Sequence, residues 1–97
     1  MVDVTIRHEV RDNGGRYVAE PADSDSRGHL DWEPRGTDVR IATHTIVPRE
    51  IGGRGIAGQL VDALVADARE QGFKIDPQCS YVAAKFDDNP EWADLRA

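Results

Sequence analysis

Ile51-Gly52-Gly53-Arg54-Gly55-Ile56-Ala57-Gly58 joins the most regular strand pattern of the chain to its most regular helix pattern. Upstream, Asp38–Val47 alternates, with Val39, Ile41, Thr43, Thr45 and Val47 on one parity. Ala42 and Ile46 add apolar groups to the other, so the segment reads as a central strand covered on both faces. Pro48 ends it. Downstream, Ile56, Ala57, Leu60, Val61, Leu64, Val65 and Ala68 recur at three- and four-residue spacing. That predicts an amphipathic helix from about Gly53 to Gln71, with Gly72 as its C-terminal glycine. The first amides of such a helix have no internal partners, and its dipole adds partial positive charge. Glycines let a ligand approach that backbone closely, so the loop is a candidate phosphate site. The bland reading is a turning loop.

Working outward, Val2, Val4, Ile6 and Val10 share one parity with His8 in the gap, and predict a first strand. Asn13-Gly14-Gly15 signals a turn, Arg16–Glu20 a strand stopped by Pro21, Ala22–Gly28 a polar loop and His29–Glu33 a third strand. Pro34-Arg35-Gly36-Thr37 is a second turn. After the long helix, Phe73–Asp76 is a short strand. Ser80 is read as the cap of a second short helix carrying Tyr81, Val82, Ala84 and Phe86, and Asn89-Pro90 opens a last turn through Leu95. The order β-β-β-β-α-β-α predicts an α+β domain: an antiparallel meander, then one right-handed β-α-β crossover whose strands run parallel.

Two phosphate-binding motifs fail against the glycine loop. A P-loop needs Lys followed by Ser or Thr after its last glycine, where this chain has Gln59-Leu60. Gly53-Arg54-Gly55-Ile56-Ala57-Gly58 matches the dinucleotide string G-x-G-x-x-G. Five residues separate it from its strand, however, and its β-α-β unit comes last rather than first.

The same residues carry a family resemblance. In order come His44-Thr45-Ile46-Val47-Pro48, Gly53-Arg54-Gly55-Ile56, Cys79-Ser80-Tyr81-Val82-Ala83-Ala84 and Asn89-Pro90-Glu91-Trp92. Over about Asp38–Leu95 the chain resembles the GCN5-related N-acetyltransferases, in particular their small stand-alone domains. The resemblance implies a mixed sheet whose last two parallel strands splay apart. It implies acetyl-CoA as the coenzyme, with its pyrophosphate on Gly53, Arg54, Gly55, Ile56, Ala57 and Gly58. Its pantetheine arm would pair with backbone at Thr45, Ile46 and Val47. Two departures stand out: Gly52 occupies a position where the wider superfamily prefers Arg or Gln, and Asn89-Pro90-Glu91-Trp92 replaces His-Pro-Glu-Tyr.

The chemistry-bearing candidates are Cys79 and His44. Cys79 falls just before a helix, where a thiol feels the N-terminal dipole, and by fold analogy near the thioester. It is read as an acetyl acceptor, as an acid toward the leaving thiolate, or as a packed, inert thiol. His44 lies on the strand flanking the coenzyme and is read as a general base, as a partner that orients Cys79, or as a structural strand histidine. Tyr81 is either a rim residue or a hydroxyl near the leaving sulfur. Glu33 and Glu50 read as solvated loop carboxylates, and Trp32 and Trp92 as core or rim. His8 and His29 have no carboxylate at metal-ligand spacing.

The chain has 97 residues, 12 Lys+Arg against 18 Asp+Glu and a net charge of −6. That length fits one domain. The negative charge with no Lys/Arg run disfavours nucleic acid. No apolar run reaches the roughly 18 residues of a membrane span, and the start Met1-Val2-Asp3-Val4-Thr5 is unlike a signal peptide, so the expected location is cytoplasmic. Cys79, the single cysteine, cannot form an internal disulfide. Three functions follow as expectations: acetyl transfer to an unidentified amine, acyl-CoA binding without turnover, or an interaction module. The expected state is a monomer or weak homodimer.

Overall fold

The computed structural model describes residues 3–97; the expectation for Val2 lies outside them. Five strands form one sheet in chain order: β1 Val4–Arg11, β2 Gly14–Pro21, β3 Gly28–Arg35, β4 Val39–Ile46 and β5 Lys74–Pro77. The first four are antiparallel neighbours, and β5 runs parallel to β4. Helix α1, Ile56–Gln71, makes the crossover, and helix α2, Ser80–Asp88, follows β5. The 3-10 turns Arg49–Ile51 and Pro90–Leu95 complete the chain. The fold is the expected α+β mixed sheet.

α1 buries Ile56, Leu60, Val61, Leu64, Val65 and Ala68 against one sheet face, with Tyr17, Ala19, Leu30, Trp32, Ala42 and Ile75 in the same core. Each fully buried leucine there contributes roughly 2–3 kcal/mol. The helix starts at Ile56, not Gly53, because Gly53 and Gly55 both adopt φ +74°, and Gly55 forms its N-cap. Val82 and Phe86 of α2 join the same core, so among the described residues neither helix covers the other face of the sheet.

β4 departs most from its sequence pattern. Asp31 pairs with His44 but Trp32 pairs with Ala42, so Thr43 is an extra residue, a β-bulge. The bulge swaps the parity of the strand: Ala42 before it and Thr45 and Val47 after it all turn toward the core. His44 and Ile46 turn to the open face, where Ile46 is 54% exposed. The expectation that both faces of β4 are covered is therefore corrected. Simple alternation counted Thr43 as an ordinary strand position. β1 shows a smaller departure: Val10 is 69% exposed, opposite Gly15, which offers no side chain to pack against.

A polar cluster ties the meander to α1. Tyr17 donates to Asp67 of α1 at 2.6 Å and stacks on His8 with ring centroids 4.1 Å apart. The Trp32 indole donates to His8 Nε2 at 2.9 Å, and the Arg40 guanidinium lies 4.0 Å from the Trp32 and Phe73 ring centroids. Burial first, then the Arg40 charge, hold His8 below its ordinary pKa against the opposing pull of Asp67. Burial and the Arg16 charge lower His29 as well. Protonated His8 would lose the lone pair that accepts from Trp32. The unfolded chain takes up protons near the ordinary value of 6.5, the folded chain only at lower pH. This stability is complete above the unfolded pKa and is lost as pH falls through the folded ones. The urea midpoint is expected to drop between about pH 7 and about pH 5; a flat profile would contradict the assignment.

Candidate active site

β4 and β5 pair only from Val39–Lys74 to Ala42–Pro77. The Cys79 amide adds one further bond to the Ala42 carbonyl, at 2.8 Å. Beyond that point the two strands part. Among the described residues no strand continues the ladder on the β5 side of Thr43–Ile46, and the chain turns instead into α2. This is the splay expected of the last parallel strands.

Cys79 stands at the base of the opening as the N-cap residue of α2, which corrects the expectation that Ser80 caps it: the helix begins one residue earlier and Ser80 is its first residue. Its Sγ lies 3.4 Å from Thr45 Oγ1, the side chain that the bulge turned inward. Burial pushes the thiol pKa up. The Thr45 hydroxyl, the backbone amides of Val82 and Tyr81 and the Thr45 backbone push it down, and together they prevail, so the thiol ionises below its ordinary value of 9.0. α2 has no side-chain cap, so its first amides are free to serve the sulfur.

His44 is not the partner of Cys79. It is adjacent in sequence to Thr45, and consecutive strand residues point to opposite faces. His44 projects from the open face across from Asp31, close enough to His29 for its charge to lower that residue's pKa. The two candidates thus come from opposite sides of β4, at the end where the strands part.

The glycine loop lies at the N-terminus of α1. Gly53 and Gly55 at positive φ, an uncapped helix start and the exposed residues Gly53, Arg54 and Gly55 leave several amides without partners among the described residues, while the Gly52 amide donates to the Arg49 carbonyl. These donors fit a phosphate group. Arg54 is held by Asp23, with its Nη1 at 2.8 and 3.1 Å from the two carboxylate oxygens. Lys85 and Tyr81 of α2 reach over the same turn: a Cβ on Gly58 would lie 3.7 Å from Lys85 Nζ and 3.8 Å from the Tyr81 hydroxyl. Lys85 and the Thr45 hydroxyl are the two groups that the sequence did not single out. Lys85 stands four residues after Tyr81, hence on the same helix face, and that spacing was the available signal. Glu50 accepts from Ser26 at 3.2 Å. Among the described residues no group of three or more His, Cys, Asp or Glu is arranged to hold a metal. No helix among them is long and apolar enough to cross a membrane.

A search of curated proteins finds no match to the chain. A protein-family model described as GCN5-related N-acetyl-transferase matches residues 16–95, from β2 through the last 3-10 turn. The match extends the resemblance upstream of β4 into the meander. With its splayed parallel strands and its glycine loop opening α1, the chain belongs to the GCN5-related N-acetyltransferase family.

Proposed function

We propose that the protein binds acetyl-CoA and transfers its acetyl group to an amine. The observation that carries this reading is the parting of β4 from β5 beside the uncapped start of α1. One place offers strand backbone for an amide-bearing arm, the other offers N–H groups for a pyrophosphate. Gly53–Gly58 would hold the phosphates, with Lys85 and Arg54 supplying charge. Thr45, Ile46 and Val47 would hold the arm.

Cys79 fits the acyl acceptor. As the thiolate it attacks the acetyl carbonyl; its S–C bond forms while the C–S bond to coenzyme A breaks, and the departing thiolate takes a proton from water. The amine nitrogen then attacks the Cys79 thioester. An N–C bond forms, Cys79 leaves as the thiolate, and the excess proton of the amine passes to water in the strand opening and through it to His44 on the other face of β4. Placing the thiol and the imidazole on opposite faces of β4 suits this order, since coenzyme and amine then approach from different sides.

Amide NMR shifts with acetyl-CoA and turnover with amines test the reading together. Shifts confined to Thr45–Val47 and Gly53–Gly58 are expected, with repeated turnover. Shifts without turnover would make the domain an acyl-CoA-binding module. No shifts at all would leave an interaction module. His44→Gln is expected to reduce kcat by about 10²-fold and leave the acetyl-CoA shifts in place; unchanged kcat would remove His44 from the proton path.

A further inference from the structure

β1 is an edge strand of 8 residues, and among the described residues nothing pairs with its outer side. Its bonds to β2 fall on one parity. The Asp3 carbonyl accepts from the Ala22 amide, and Pro21, which has no N–H, stands opposite Val4. Asp3, Thr5, Arg7 and Glu9 therefore exchange bonds with β2, and the N–H and C=O groups of Val4, Ile6, His8 and Val10 point away from the sheet. The side chains of these outward residues lie on the α1 face. Val4 and Ile6 pack against the core there, and Val10 is left 69% exposed. Thr5, Arg7, Glu9 and Arg11 line the open face.

A row of outward backbone groups is a template for another strand. An antiparallel partner must set outward residues against outward residues. A second β1 does so when the two His8 residues meet at a two-fold axis. Arg7 then stands opposite the partner's Glu9, and Val10 opposite the partner's Ile6. Opposite charges and apolar groups directly across an antiparallel pair stabilise it. The side chains of Arg7 and Glu9 are 47% and 35% exposed, so both reach a neighbouring strand. Their order also selects the register. The next registers that keep the backbone bonds set Arg7 against Arg7 on one side, and Glu9 against Glu9 with Arg7 against Arg11 on the other. A further slide either pairs only the stretch from His8 to Asp12 or sets Glu9 against Asp3. Like charges directly opposite are destabilising.

We propose that the protein forms a symmetric homodimer through β1, the two edges paired antiparallel about His8 so that the two sheets become continuous. Both α1 helices then lie on one side, and both strand openings stand at the far margins, clear of the contact. The same patch serves both copies, as a two-fold interface requires. One strand from each copy is a small interface, so a Kd between about 10 μM and about 1 mM is expected.

Sedimentation of the full chain over that concentration range measures the association. Arg7→Glu and Glu9→Arg each place like charges across the axis, and each should raise the Kd by at least about tenfold. Mixed in equal amounts, the two variants face each other with opposite charges and should recover the association of the unmodified chain, which also shows that both are folded. Amide hydrogen exchange locates the contact. Ile6, His8 and Val10 should gain protection as concentration rises, whereas Thr5, Arg7 and Glu9, already bonded to β2, should change far less. A chain that stays monomeric at about 1 mM, a dimer indifferent to both reversals, or a mixture no tighter than the separate variants would each overturn the proposal.

Discussion

Acetyl-CoA is expected to leave an acetyl adduct on the unmodified protein by intact mass, and Cys79→Ala is expected to abolish that adduct, to keep the acetyl-CoA-induced amide shifts and to cut turnover by at least about 10³-fold. The expectation follows from what surrounds the sulfur. A cap residue contributes its backbone geometry whatever its side chain, and the Cys79 amide remains free to bond the Ala42 carbonyl. Alanine therefore leaves the mouth of the strand opening in place and deletes only the thiol. Thr45→Val gives the complementary test. It removes the hydroxyl 3.4 Å from the sulfur and keeps a similar shape. The thiol pKa should then rise, and the alkaline shift of the adduct-formation profile should be visible even where the maximal rate changes little. A Cys79→Ala variant with full turnover would mean direct attack of the amine on the thioester.

Gly14→Ala is expected to destabilise the fold by about 3–5 kcal/mol, combining backbone strain with overpacking. Gly14 has φ +143°, and a Cβ there would lie 2.2 Å from the Trp32 carbonyl oxygen. The obstacle is backbone of the adjacent strand, so no rotamer relieves it. The next residue is tight for a different reason: a Cβ on Gly15 would lie 2.6 Å from the Trp32 indole. That contact shows that the indole lies across the bare backbone of Gly15, where its N–H reaches His8. Urea unfolding of Gly14→Ala measures the loss; a change under about 1 kcal/mol would mean that the hairpin shifts at little cost.

The sequence made the architecture legible because its periodicities are strong where burial is one-sided. α1 is the clearest case, since its apolar stripe matches the buried set. The glycine loop was legible for a similar reason: clustered glycines before a helix have few structural uses. The bulge at Thr43 was not legible. A bulge changes which face each following residue takes without changing composition, and Thr43 is as good a strand residue as any. For that reason an orienting contact between His44 and Cys79 stood among the readings of the sequence, whereas the fold sets the sulfur beside Thr45. The turn at Asn13-Gly14-Gly15 was located but displaced, since the tip is Asp12-Asn13 and both glycines lie inside β2. They are there to admit Trp32, a long-range demand that local turn chemistry does not reveal.

The outer side of β5 has its own cover. Arg96 bridges in parallel to Ile75, the Ala97 amide donates to the Ile75 carbonyl at 2.8 Å, and Lys74 Nζ reaches the Asp94 carbonyl. A short terminal strand with unsatisfied backbone would invite a second chain to extend the sheet. Here the chain occupies that border itself, so recruitment of a foreign strand is blocked on the flank next to the strand opening. The opposite border, β1, is made selective by charge: Arg7, Glu9 and Arg11 alternate along it and pair with one another. The two margins are thus defended by different means, and the strand opening inside the sheet is left as the place where an extended ligand can find free backbone.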